Sequence, residues 1–273
     1  METQAGQSIL ITGGTSGLGL ELVKLFHKKG FYVICTGRQP GDFTGFAGNF
    51  RFFRTDFSDL AETAKIFKNI CSEIQPDFVI NNAGILSPPQ FCLTGDGFEC
   101  SFQVNFLAHL LVNEIIIRNN PDNHPLKIGA VISPVYKMEN NFPDWQCNVR
   151  SYKQLKAYSD SKLFLALMCA HLEEKYAKKK PACFSINPGV FSSSIYRSQG
   201  KLFRFLYGIA APFMRNPAKV AESISEMMVN QGFSDGRIFS IRKKPEHMPV
   251  YDQHLIDTFW ITMNEMTQQY LKS

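Results

Sequence analysis

The chain predicts an α/β fold, with one domain over 1–273 built on a doubly wound parallel sheet of about seven strands and helices on both faces. Three observations carry this expectation. Short β-rich runs alternate with longer helical stretches from end to end. A glycine-rich turn closes the first of those runs and opens a helix. No linker, repeat or low-complexity stretch interrupts the alternation, so nothing marks a domain boundary.

Taken in order, Ile9–Thr12 reads as a short buried strand, and Gly17–Lys29 as the amphipathic helix after it. Phe31–Thr36 and Phe50–Thr55, rich in aromatic and β-branched residues, read as the second and third strands. Leu60–Ile74 follows as a helix, then Phe78–Asn81 as a strand and Phe98–Asn119 as a long apolar helix. Ile128–Ser133 and Cys183–Asn187 are further buried strands, separated by the helical stretch Tyr152–Lys178. A strand near Arg237–Ile241 closes the series. Parallel strands joined by helices require right-handed crossovers, which place helices on both faces of the sheet. Three loop-rich stretches, 87–97, 134–154 and 188–217, complete the chain, and the last two directly follow strands. Ligands bind at the carboxyl ends of strands in open α/β sheets, so these loops fall where a substrate cleft belongs.

Composition narrows the class. With 44% hydrophobic and 19% charged residues, the chain can bury a sizeable core. The net charge of +5 comes partly from local runs such as Lys178–Lys180 and Arg242–Lys244. No basic stripe stands out, which argues against nucleic-acid binding and for a solvated surface. The polar Met1–Ser8 stretch does not resemble a signal peptide, and no apolar run reaches membrane-spanning length. Lys201–Met214 is the greasiest segment. A lid over a substrate pocket and peripheral contact with a membrane surface are the two roles open to it. The seven cysteines (35, 71, 92, 100, 147, 169 and 183) form no Cys-x-x-Cys pair, and several lie in apolar runs. They read as buried free thiols in a reducing, cytoplasmic setting, and no metal-ligand spacing is present.

The first strand runs into Thr12-Gly13-Gly14-Thr15-Ser16-Gly17-Leu18-Gly19. Glycines there permit a tight turn and close approach of backbone to a pyrophosphate, whose charge the helix N-terminus favours. The turn therefore predicts a dinucleotide site of Rossmann type, although such turns also serve as plain connectors. After the second strand come Thr36-Gly37-Arg38, with no carboxylate to take a ribose 2′-hydroxyl. The Arg38 fork suits a 2′-phosphate, which favours NADP(H) over NAD(H). The alternative for Arg38 is a solvated loop residue. Asp56 is placed to meet the adenine amino group, or else to cap a helix, a job for which Asp59 competes.

Tyr158 and Lys162 stand four apart in a helical stretch and so share a face. An ordinary tyrosine titrates near pH 10, and a nearby ammonium lowers that value toward use as an acid–base. Ser133, at a strand end, is placed to bond the same substrate oxygen, and Asn105 to hold a water linking Lys162 to solvent. Each has an ordinary alternative: a structural strand-end serine, an exposed helical asparagine.

Together, Thr-Gly-x-x-x-Gly-x-Gly at 12–19, Asn81-Asn82-Ala83-Gly84, Asn105, Ser133, Tyr158-x-x-x-Lys162 and Pro188-Gly189 resemble the short-chain dehydrogenases/reductases over essentially the whole chain. Asn81 to Ile85 running on to Asp96-Gly97-Phe98-Glu99, Tyr158 to Leu163, and Asp235 to Phe239 resemble the retinol dehydrogenase-like branch. The resemblance implies Tyr158 as acid–base, Lys162 as nicotinamide-ribose ligand, Ser133 as carbonyl-positioning group and Asn105 in a proton relay. It also implies that Asn82, Ala83 and Gly84 pack beside the cofactor and that Pro188, Gly189, Phe191 and Ser193 belong to the segment meeting its carboxamide. Departures are Pro134 after the serine, where a register slip by one would displace the catalytic hydroxyl, and Ser193 where the family commonly has Thr. The N-terminal membrane helix of many retinol dehydrogenases has no counterpart here, so retinol itself is not the expected substrate.

The expected activity is hydride transfer between NADP(H) and a carbonyl or alcohol carbon of a fairly hydrophobic small molecule. Phe142, Trp145, Phe191, Phe203, Phe205 and Tyr207 supply the apolar loop character, with packing of the lid alone as the alternative for some of them. A non-catalytic dinucleotide sensor or scaffold is the alternative from another class, and an NAD(H)-dependent alcohol dehydrogenase a second. Self-association through the long helices at Phe98–Asn119 and Tyr152–Lys178 is a further expectation of the resemblance.

Overall fold

The computed structural model describes residues 6–138, 142, 145, 151–191, 215–230 and 232–272. Eight strands form one sheet in the order β3-β2-β1-β4-β5-β6-β7-β8. They are β1 (Ser8–Ile11), β2 (Tyr32–Gly37), β3 (Phe50–Arg54), β4 (Phe78–Asn81), β5 (Lys127–Val131), β6 (Ala182–Asn187), β7 (Ile238–Ser240) and β8 (Pro245–Glu246). The first seven pair in parallel. The eighth adds a two-residue antiparallel edge that raises the count above the seven anticipated. It escapes sequence patterning because two residues show no period, and it exists only through its pairing with β7.

Helices α1 (Gly17–Lys28) and α5 (Pro217–Val229) cover one face of the sheet; α2 (Leu60–Glu73), α3 (Ala108–Asn119), α4 (Gln154–Lys175) and α6 (Gln253–Lys272) lie over the other. Helix α5 begins where Asn216 accepts from the Ala218 amide at 2.8 Å, with Pro217 as the first helical residue. The central strands are fully buried, Ile9, Leu10, Ile11, Val33, Ile34, Val79 and Ile80 among them, as a sheet covered on both sides requires. Helix α6 packs across α2 and α3. The stretch Cys100–Asn119 is long and apolar enough to cross a membrane by composition, but it is buried within the protein, which explains its hydropathy without a bilayer.

Two expectations are corrected. Phe142 and Trp145 are partly buried and pack against the edge of the core, on Phe164 and Phe259 and on Phe102 respectively, and neither lines the cleft at the strand ends. Cys92 and Cys100 form a disulfide instead of staying free. An antiparallel bridge between Leu93 and Glu99 folds the 87–97 loop back on itself and brings the two Cα atoms within 6.0 Å, inside bonding range. Cys35, Cys71, Cys169 and Cys183 are free and buried as expected; Cys147 lies outside the described residues.

Candidate active site

A cleft of about 780 Å³ opens at the carboxyl ends of the strands, across β1 and β4, where the strand order reverses. Its floor is the glycine-rich turn. Gly13 holds a φ of +64°, and a Cβ there would stand 2.7 Å from the Ala83 Cα. Gly19 faces the Gly13 carbonyl and lies so close to the Asn82 amide that a Cβ would be 2.6 Å from Nδ2. Only a residue without a side chain allows the turn, α1 and the β4 end to meet this closely. Asn82 locks the arrangement by donating to the Thr12 and Gly13 carbonyls at 2.9 and 3.2 Å. Thr15, Ser16, Leu18, Ala83 and Gly84 complete this part of the wall, and Gly17, the first residue of α1, is not among the lining residues.

At one end of the cleft Arg38 is exposed beyond β2. The β2–β3 register sets Gly37 opposite Arg54, so a second guanidinium borders the same hollow with Thr15, Gln39 and Ser58. Sequence reasoning missed Arg54, though its position one residue before Thr55-Asp56 was a usable signal. Asp59 takes the cap of α2, accepting from the Glu62 amide at 2.8 Å. Asp56 accordingly remains on the cleft wall, one oxygen engaged by the Ser58 amide and hydroxyl at 3.0 and 2.8 Å.

At the other end stand Ser133, Tyr158 and Lys162. Ser133 is extended at the end of β5, just before the 3-10 turn Pro134–Lys137, and its hydroxyl does not cap that turn. Both Ser133 and Pro134 reach the wall. Helix α4 presents Tyr158 and, one turn on, Lys162, whose Nζ is 6.0 Å from the tyrosine ring centre. The Lys162 ammonium donates to the Val131 carbonyl at 3.1 Å, and burial lowers its pKa to about 8. Pro188, Gly189, Val190 and Phe191 close the cleft after β6; Ser193, Phe203, Phe205, Tyr207 and the whole Lys201–Met214 segment lie outside the described residues. Ile85, Leu86, Pro88, Pro89, Val104 and Val135 give the catalytic end an apolar lining.

Asn105 does not reach the cleft surface. It is fully buried in a π-helical turn, Gln103–Leu107, that precedes α3. Its side chain accepts from the Ile85 amide at 2.8 Å and donates to the Ile85 carbonyl and the Ser161 hydroxyl, each at 2.9 Å. It therefore anchors the β4–α3 connection to α4, beside Lys162. Glu246 of β8 is a second residue that sequence reasoning missed. It accepts from Asn187 at 2.9 Å and Tyr136 at 3.1 Å and pairs with Lys137 at 3.0 Å, tying the turn after Ser133 to the end of β6.

The cleft suits a nicotinamide dinucleotide: a side-chain-free cradle and a helix N-terminus for pyrophosphate, arginines at one end, and hydroxyl and ammonium groups at the other. The comparisons agree with this geometry. Residues 7–141 match the family model described as short chain dehydrogenase. Human retinol dehydrogenase 11 is 25% identical over 238 residues, covering 83% of this chain and 74% of that protein. A short chain dehydrogenase from Leptospira borgpetersenii with bound NAD+ superposes with a TM-score of 0.68 at 21% identity, over 87% of this chain and 91% of that one. ElxO with NADP bound gives 0.66 at 19% identity, over 86% and 96%. The open parallel sheet with this cleft at its switch point is a doubly wound Rossmann-type fold, and the chain belongs to the short-chain dehydrogenase/reductase family. Within that family it stands close to the retinol dehydrogenase branch.

Proposed function

We propose that this chain is an NADP(H)-dependent oxidoreductase (EC 1.1.1.-) acting on a carbonyl or alcohol carbon of a fairly hydrophobic small molecule. The observation that carries the reading is the lining of one continuous cleft by Arg38, the glycine turn, Ser133, Tyr158 and Lys162. When bound, the cofactor supplies or accepts a hydride at its nicotinamide ring. Ser133 orients the substrate oxygen by hydrogen bonding. Tyr158 donates a proton to that oxygen during reduction and takes one from the alcohol during oxidation. Lys162 favours the phenolate through its positive charge and binds the nicotinamide ribose. Asn105, through Ser161 and Ile85, keeps the helix bearing Tyr158 and Lys162 in place. Asp56 would hold the adenine, and Asn82, Ala83, Gly84, Pro188, Gly189 and Phe191, which line the other parts of the cleft, would hold the nicotinamide end. The apolar lining from Ile85 to Val104 favours a substrate with little polar surface.

NADPH and NADH oxidation by the purified protein against apolar aldehydes and ketones tests the reading. Turnover with NADPH is expected; loss of binding to both dinucleotides refutes it, and binding without turnover on any of them leaves the sensor reading in its place. Arg38→Ala is expected to weaken NADPH about 10- to 100-fold, the worth of charge-assisted hydrogen bonds to a phosphate, with little effect on NADH. Equal losses for both cofactors would show that Arg38 does not read the 2′-phosphate. A second expectation concerns pH. Because burial places Lys162 near 8, its charge is present below that value and lost as pH rises through it. Reductive kcat/KM of the free enzyme should therefore fall above about pH 8. A flat profile to pH 10 would remove Lys162 as the charge that tunes Tyr158.

A further inference from the structure

His109, the second residue of α3, is fully buried, and both of its ring nitrogens are engaged. Nδ1 lies 3.0 Å from the Asn105 main-chain carbonyl, and Nε2 lies 3.0 Å from the Thr12 hydroxyl. The Thr12 oxygen in turn accepts the Asn82 and Ala83 amides at 2.9 and 3.0 Å. A carbonyl can only accept, so the ring must donate from Nδ1. A neutral ring then leaves Nε2 as an acceptor, and the Thr12 hydroxyl, 3.0 Å from Nε2 against 3.4 Å from the Ile80 carbonyl, has the shorter reach to it. That direction leaves the two lone pairs of the Thr12 oxygen for the two amides, and every group in the chain is satisfied once. A protonated ring would set an Nε2 donor against that hydroxyl. Burial, with a smaller contribution from the charge of Lys162, holds the pKa of His109 down to about 3.

The network joins parts of the site that are far apart in sequence. Thr12 ends the strand that begins the glycine turn, and the Asn82 and Ala83 amides carry the wall that Gly13 touches. Asn105 reaches Ser161, the neighbour of Lys162. Asn105 itself sits in the π-turn at 103–107, and single π-turns of this kind recur at functional sites. Phe57 packs edge-on against the imidazole at 5.0 Å and shields it from water.

We propose that His109 is a positioning residue: as the neutral Nδ1–H tautomer it couples the Asn105 carbonyl to the Thr12–Ala83 floor, setting the spacing between the cofactor cradle and the Tyr158–Lys162 pair. This rests on the functional reading above, since the spacing matters only where a dinucleotide and an acid–base pair work together.

Two measurements test it. Histidine-selective 15N NMR of the ligand-free protein reads the ring directly, with the His109→Phe spectrum assigning the signal. The imidazole whose signal is lost in His109→Phe is expected to stay in the neutral Nδ1–H form down to about pH 4.5; an Nε2–H tautomer, or ordinary titration, of that ring overturns the proposal whatever the activity. The second measurement compares His109→Phe, which keeps the ring's bulk and loses both bonds, with His109→Gln, which keeps one donor and one acceptor. The Phe variant should lose about 10- to 100-fold in kcat and in NADPH affinity, the effect of a buried hydrogen bond left unmade, and the Gln variant should recover most of it. A folded Phe variant with native binding and turnover overturns the proposal, as does a Gln variant that restores only the melting temperature. If the Phe variant does not fold, the Gln variant decides: kcat close to native supports the proposal, and a kcat as low as that of a Tyr158 variant overturns it. Wild-type protein that binds neither NADPH nor NADH defeats the functional reading and, with it, the coupling role, whereas a wrong tautomer in a chain that does bind them defeats the proposal alone.

Discussion

Tyr158→Phe is expected to lower turnover by about 10²- to 10⁴-fold, the range of a lost general acid–base, with NADPH affinity near native. The substitution removes one oxygen and leaves the ring on α4. Lys162 keeps its bond to the Val131 carbonyl and stays one helical turn away, so the cofactor end of the cleft is undisturbed. What disappears is the one phenol, among the described residues, that lines the cleft beside Ser133 and Lys162. An effect on kcat with little change in cofactor binding identifies a group used in the chemical step rather than in assembly. Steady-state rates and a dinucleotide titration on the same preparation make the check. A variant that turns over at more than about a tenth of the native rate would remove Tyr158 from the proton transfer and point to another donor.

Gly19→Ala is expected to do the reverse, disabling the cofactor site before the chemistry is reached. The new methyl collides with the Gly13 carbonyl and crowds the Asn82 amide at 2.6 Å. Neither can retreat cheaply. The Asn82 amide holds the Thr12 and Gly13 carbonyls, and Gly13 already lies against the Ala83 backbone. Relief must come from opening the turn or shifting α1, and overpacking of this kind costs roughly 1–3 kcal/mol. Melting is expected to fall by about 2–4 °C for each kcal/mol lost. NADPH affinity should drop at least about 10-fold, because the pyrophosphate depends on backbone approach at this turn. Thermal shift with and without NADPH measures both effects. An unchanged melting temperature together with native NADPH affinity would show that the turn adapts and does not serve as the cradle.

Much of this was readable in the sequence. Alternating apolar runs and helical stretches fixed the order of the elements because each run's periodicity is set by its own backbone. Strand ends shifted by only a residue or two, as with Ile128–Ser133 becoming Lys127–Val131. The glycine turn, Arg38 and the Tyr158–Lys162 pair were found because their spacing operates within one turn of chain, and all of them reach the same cleft. Pro134 raised a question of register that the fold answers only in part: Ser133 and Pro134 both border the cleft, and Ser133 alone brings a hydroxyl. Aromatic residues in loops were a poorer guide. Phe142 and Trp145 look like pocket lining beside a strand end, but facing helices offered them more apolar surface, and burial decided their place.

The sequence by itself determined the class of fold, the glycine turn that opens α1 and the spacing that puts Tyr158 and Lys162 on one helix face, since these depend on residues near one another along the chain. Only the tertiary structure decided what those residues lean on. The Thr12–His109 contact spans 97 positions, and Glu246 reaches 110 positions back to Tyr136. Cys92 and Cys100 meet because of a bridge that no cysteine spacing announces. Such contacts exist only once the strands have chosen their order, because strand order, unlike helical spacing, is set by burial across the whole sheet rather than by neighbours in sequence.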